Sequence, residues 1–217
     1  DTTGDKPYLP IFITEAISDF YYIKTPKSDH EVIKASKVSG VKNESVQQFL
    51  GDMYQNVNAY DNYIIVFGKS FISPIADFGL LSYRYYLVDS AFIDHNWCYK
   101  LKFTPKRKHE LTFDGEMWIS DTTYALKQIQ AKVSGEANIN FINDFAVYQE
   151  YNEVEKEVWM LTRDELVVDF VVNNKTIGFY GRKTSTYKDF IINQPRNTGF
   201  FSGAENIIVS DSAGERN

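Results

Sequence analysis

Residues 111–133 read LTFDGEMWISDTTYALKQIQAKV, and this stretch decides the fold class. Leu111, Phe113, Gly115, Met117 and Ile119 fall in one phase, and Thr112, Asp114, Glu116, Trp118 and Ser120 in the other. Alternation at period two puts successive side chains on opposite faces of a pleated strand, so the pattern reads as a half-buried β-strand. The polar turn SDTT sends the chain back. On the return Tyr124 and Leu126 keep one phase, whereas Ile129, Ala131 and Val133 keep the opposite one. One residue must be absorbed between them, and a β-bulge is expected near Lys127 and Gln128.

The same period extends in both directions. Upstream, YRYYLVDSAFI turns at DHN into WCYKLKFTP, where Trp97, Tyr99, Leu101 and Phe103 alternate with Cys98, Lys100, Lys102 and Thr104. Downstream, FAVYQEY turns at NEVEKE into VWMLTRDELVVDFVV, and NNKT leads into GFYGRKTSTYKDFII. Residues 9–23, rich in β-branched and aromatic side chains, read as extended. The polar stretch after them reads as an irregular connection, and the chain beyond Pro195 as a linker or tail.

One segment breaks the pattern. Val46, Phe49, Leu50, Met53, Val57, Tyr60 and Ile64 recur at three and four, the spacing of a helical stripe. Ser45 and Gln48 fit a capping box, and Gly68 a helix end. A shorter helix is expected at SPIADFG, with Ser73 as its cap. Together these readings predict an α+β domain over residues 1–210, in which a strongly curved open antiparallel sheet, a half-barrel, wraps a long amphipathic helix. Residues 211–217 are expected to form a flexible tail.

Composition limits the function. The net charge of −6 disfavours a nucleic-acid partner, which needs a dense positive face. Cys98 is the only cysteine, so an internal disulfide and a thiolate metal cluster are excluded. No run of about 18 apolar residues is present, and the opening DTTGDKPYLP has no leader pattern, so neither a spanning helix nor a signal peptide is expected in this stretch.

The motifs that could carry chemistry have simpler readings. His30, His95 and His109 fall in polar or turn segments without a ligand partner at helical spacing and read as surface histidines, so no metal site is expected. Cys98 lies on a strand without a base motif and reads as a packed thiol. Asp114 and Glu116, about 6–7 Å apart on one strand face, could divide acid and base roles in glycan hydrolysis but fit a solvated face as well. GFYGRKTS lacks the glycine before Lys183 that a phosphate loop requires and continues as a strand. The basic tip with Lys106, Arg107 and Lys108 is a candidate membrane-surface contact. No catalytic site and no cofactor are expected.

The segments LGDMYQNVNAYDNYI, FGKSFISPIADFGLL, LTFDGEMWISDTTYALKQI, NINFINDFAVYQEY and GRKTSTYKDF resemble, from about Leu9 to about Ser210, an uncharacterised family of Bacteroides-type bacteria. Its members follow a carboxypeptidase-regulatory-like sandwich and precede an outer-membrane β-barrel. The resemblance implies a periplasmic domain of an outer-membrane protein, with those flanking parts as partners. By analogy of pattern, the chain is also similar to the LolA-like lipoprotein-carrier fold. The expectation is a non-enzymatic module that holds a lipid, acyl chain or other apolar ligand, with Phe49, Met53, Phe103, Phe113, Met117, Phe145 and Phe170 as contacts. The alternative is a docking domain that binds protein and positions the adjacent barrel.

Overall fold

Seven consecutive strands form one antiparallel meander, because alternating segments joined by short turns pair most directly with their chain neighbours. The computed structural model describes residues 12–40, 56–135, 137, 142–172, 177–201 and 207–209. The chain divides into two compact units, residues 47–190 and residues 1–46 with 191–217.

In the larger unit a small hairpin comes first, with β3 (Tyr63–Val66) paired to β4 (Lys69–Ile72). Phe67 and Gly68 both have positive φ, 47° and 73°, as a tight two-residue hairpin turn requires, and glycine takes that conformation without steric cost. A four-residue helix, α1 (Gly79–Ser82), leads into the meander. Its strands are β5 (Tyr83–Ile93), β6 (Asn96–Pro105), β7 (Phe113–Ser120), β8 (Leu126–Val133), β9 (Ile142–Glu155), β10 (Val158–Val172) and β11 (Ile177–Thr186). The smaller unit pairs β1 (Phe12–Ile23) with β2 (Ser28–Gly40), and β12 (Ile207–Val209) lies parallel to β2 at Glu31 to Ile33.

The bulge read from the phase change is present. Trp118 faces Gln128 and Ile119 faces Leu126, so Lys127 is the extra residue. On β9 the alternation is equally clear: Phe145, Val147, Gln149 and Tyr151 are buried, and the residues between them are half-exposed. These side chains, with Phe103, Phe113, Met117, Ile129, Leu166 and Val168, make one core face. Val57, Ala59, Ile64, Val66 and Phe71 pack against that face from the hairpin and the segment before it.

The hairpin is therefore the cover expected of a long helix, and the α+β half-barrel is corrected on three counts. Among the described residues no helix exceeds four residues, so none is wrapped by the sheet. The sheets are neither closed nor strongly curled, and among the described residues the meander ends on two unjoined edges, β5 and β11. Finally, the stripe that was to run to Ile64 reaches β3, where Ile64 and Val66 are buried at period two. The β-branched run Ile64, Ile65 and Val66 before a Phe-Gly turn overrides the three-and-four spacing, since these residues fit a pleated surface better than a helix. Val46, Phe49, Leu50 and Met53 lie outside the described residues.

Three smaller readings change too. The segment read as an irregular connection after Ile23 is mostly β2, and the expected tail contains β12 and a 3-10 turn at Thr198–Phe201. Residues 211–217 lie outside the described residues. The helix expected at SPIADFG is a series of turns, with α1 starting only at Gly79. Ser73 still behaves as a local cap: its hydroxyl accepts from the Ile75 amide at 3.2 Å and donates to the Ala59 carbonyl at 2.6 Å.

Candidate functional site

The apolar ligand candidates on described side chains converge in the core. Phe103 and Phe113 are fully buried, and Met117 and Phe145 nearly so. Rings from the hairpin lie directly against two of them: Phe71 meets Phe113 at 5.2 Å between centroids, and Phe67 meets Phe145 at 6.2 Å. Tyr83 packs edge-on to Phe103 at 5.8 Å. Phe170 takes its place in β10 opposite Phe179 and Ile142, while Phe49 and Met53 lie outside the described residues.

Polar groups tie the cover to the sheet. The Tyr83 hydroxyl accepts from the Phe113 amide at 3.0 Å and donates to the Ile72 carbonyl, and the Tyr85 hydroxyl donates to the Pro74 carbonyl at 2.7 Å. The fully buried Gln149 side chain donates to the Val57 carbonyl at 2.7 Å and to Asp164 at 2.9 Å, and it accepts from the Tyr151 hydroxyl at 2.9 Å. Burial pushes the Asp164 carboxyl above the ordinary carboxylate range, and the Gln149 amide works against that rise. Burial likewise raises the Tyr83 and Tyr151 hydroxyls, which stay neutral donors.

Lys127, the bulged residue, is almost completely buried, with Asp94 at 2.7 Å, Glu150 at 3.8 Å and the Asn152 side chain as partners. The hydrogen bond from Lys127 holds the exposed Asp94 carboxyl below its ordinary value. A buried ammonium with such partners is a satisfied structural cation.

The groups weighed for catalysis have settled surroundings. Cys98 is fully buried; its thiol points to the Asn96 carbonyl at 3.5 Å, and burial raises its pKa, which disfavours the thiolate a nucleophile needs. Glu116 is ion-paired with Lys100 on the outer face of the sheet. Asp114 shares that face, where Lys132 pairs with Asp144 at 2.8 Å and Lys100 and Arg163 lie over Trp118 and Tyr148. This is a self-neutralising polar surface. Among the described residues no three His, Cys, Asp or Glu are grouped to hold a metal ion, and no helix is long and apolar enough to cross a membrane. The GFYGRKTS segment runs as strand β11. His95 and His109 are exposed, but His30 is a correction: it is 3% exposed and sits edge-on to Phe200 at 5.0 Å.

The smaller unit contains a polar pocket of about 420 Å³ lined by Gln194, Pro195, Arg196, Asn197 and Phe200. The Arg196 guanidinium closes on the rings of Tyr21 at 4.7 Å and Phe200 at 5.4 Å, so its cation–π capacity is taken up internally.

Two surface features remain. The first is β5, which pairs only with β6 among the described residues. It exposes Tyr86, Leu87, Val88 and Phe92, with Leu87 at 65% and Phe92 at 72%. The opposite edge, β11, exposes Arg182, Thr184 and Thr186 instead. The second is the basic tip between β6 and β7, where Lys106, Arg107 and Lys108 are all exposed. The Lys106 amide donates to the Ser82 carbonyl at 2.7 Å and its ammonium to the Leu80 carbonyl, which brings the tip onto α1. Sequence reading singled out the tip but not the exposed leucines of α1 or the β5 edge, since apolar residues beside a strand read as core until the sheet order is known.

No curated protein and no solved structure matches this chain. Residues 5–190 match a family of unknown function (DUF5686). The chain belongs to that family.

Proposed function

We propose that this domain is a non-enzymatic docking module that pairs its β5 edge with an extended strand from a flanking part of the same outer-membrane protein. The setting is the periplasm of a Bacteroides-type bacterium, beside the carboxypeptidase-regulatory-like sandwich and the outer-membrane β-barrel that the family resemblance implies. The observation that carries the reading is the contrast between the two edges of the meander. An unpaired strand edge presents free N–H and C=O groups that recognise extended backbone, and proteins ordinarily blunt such edges with charged or polar side chains. β11 follows that practice with Arg182, Thr184 and Thr186, whereas β5 displays Leu87, Val88 and Phe92 along 11 residues. Its concessions are the exposed Arg84 and Asp89 and the bulge between Leu87 and Asp89, and the apolar run Tyr86, Leu87 and Val88 lies between those two charges. Strand addition combines main-chain hydrogen bonds with alternate side-chain contacts, and β5 supplies both.

An acyl-chain carrier would need a hollow beside Phe103, Phe113, Met117 and Phe145, and rings of the β3–β4 hairpin fill the space beside Phe113 and Phe145. The non-enzymatic reading draws support from the closed environment of Cys98 and the ion-paired Glu116. Hydrogen–deuterium exchange tests the docking by comparing the isolated domain with the full-length membrane-inserted protein. The β5 amides that do not bond to β6 are expected to be at least tenfold better protected in the full-length protein, and Leu87→Lys to abolish the difference. Equal exchange in both forms would overturn the reading.

A further inference from the structure

The fold joins Leu80 on α1 and Lys106, 26 residues apart in sequence, in one amphipathic projection. Leu80 and Leu81 on α1 are 72% and 66% exposed, the two most exposed leucines of the described residues. The carbonyls of Leu80 and Ser82 bind Lys106, and Lys106 begins the run of Lys106, Arg107 and Lys108. Glu110 is the one carboxylate in the tip; it is held by the Ser82 hydroxyl at 3.0 Å and by Arg107 at 3.4 Å. Residues 106–110 carry Lys106, Arg107 and Lys108 with Glu110 as their one carboxylate, a basic run on a chain of net charge −6.

We infer that this projection docks onto an anionic lipid surface, with Leu80 and Leu81 entering the headgroup boundary and Arg107 and Lys108 meeting lipid phosphates. Two adjacent exposed leucines are too small an apolar area to hold a membrane by themselves, and a short basic run alone is diffuse and salt-sensitive. Together they supply the two signals that reversible interfacial binding needs. A protein groove would offer the leucines a pocket but give no reason for three cations beside them on an otherwise acidic chain. Charge complementarity therefore selects the bilayer. The docking at β5 concerns a strand edge, and the tip would act whether or not that edge is paired.

Vesicle co-sedimentation of the whole chain tests the inference, with vesicles of phosphatidylglycerol and phosphatidylcholine compared with phosphatidylcholine alone. Binding is expected on the anionic vesicles and is expected to weaken as salt is raised. Arg107→Gln with Lys108→Gln should lower partitioning about 25-fold, each basic residue being worth about fivefold near an anionic leaflet. Leu80→Ser with Leu81→Ser should lower it about tenfold, because two partly inserted leucines contribute less than full burial. All four positions are exposed, so an unchanged thermal midpoint is the control for folding; Lys106 is left intact because it supports α1. No binding to anionic vesicles by folded protein would overturn the inference. So would binding that both variants retain. If the leucine variant instead dissolves a self-association seen by sedimentation, with no effect on lipid, the face belongs to a second copy and the inference fails.

Discussion

Replacing Tyr83 by Phe removes one oxygen and two bonds. The ring is 1% exposed, and its hydroxyl links the Phe113 amide at the start of β7 to the Ile72 carbonyl at the end of β4. Phenylalanine fills the same volume, so no cavity opens. What changes is that a buried N–H loses its partner, at about 1–3 kcal/mol, and a carbonyl loses a bond worth about 1 kcal/mol. The expected cost is about 3 kcal/mol. Tyr85→Phe is the internal comparison: that hydroxyl makes one bond, to the Pro74 carbonyl, from a half-buried position that water can reach, and about 1 kcal/mol is expected. Urea unfolding followed by tryptophan fluorescence measures both. With a slope of about 2 kcal/mol per molar urea, the Tyr83 variant should lose about 1.5 M in its midpoint and the Tyr85 variant about 0.5 M. If Tyr83→Phe changed stability by less than about 0.5 kcal/mol, the hydroxyl would not be what fastens the hairpin cover to the sheet. Equal costs for the two variants would refute the argument from burial in the same way.

Gly115→Ala should destabilise by about 2–3 kcal/mol, because a Cβ there would stand 2.0 Å from the Gln130 carbonyl oxygen and 2.7 Å from the Phe103 ring. Gly135→Ala, where nothing lies within 4 Å, should be close to neutral, and thermal midpoints of the pair compare them directly. Asp164 gives a pH signature. Its folded pKa is raised by burial, so its contribution to stability is complete below the unfolded value of about 3.9 and is lost as pH rises through the folded value. Asp164→Asn removes that loss, so the difference in unfolding free energy between variant and wild type should move in favour of the variant from pH 4 to pH 7; parallel pH profiles would refute the assignment.

The strand content was legible because it is written in local period. Phe113, Met117 and Ile119 against Asp114, Glu116 and Trp118 need no tertiary information to be assigned to a strand, and the phase slip after Leu126 placed a bulge near Lys127 and Gln128, which the pairing then narrowed to Lys127. Turn residues marked the hairpin at Asp94 and His95 for the same reason. The basic tip was also legible, as three consecutive cations are visible in any fold. Sequence by itself thus determined antiparallel strands, the neighbourhood of one bulge and one charged projection, but not the shape of the sheet.

The partner of each face was not written locally. Val57, Tyr60 and Ile64 recur at helical spacing, yet Ile64 and Val66 bury at period two in β3, where the β-branched run and packing into one core with Phe103 and Phe145 together outweigh the helical period. His30 reads as a surface histidine until Phe200, distant in sequence, closes over it. Nothing local marks Leu80 and Leu81 as exposed, and they are so because α1 leads into β5, an edge strand of the sheet among the described residues. Burial is a property of contacts between segments far apart in the chain, and a free edge exists only once the order of all seven strands is fixed. The tertiary structure alone therefore decided what covers the sheet, which apolar side chains remain in water, and that two leucines share a tip with three cations.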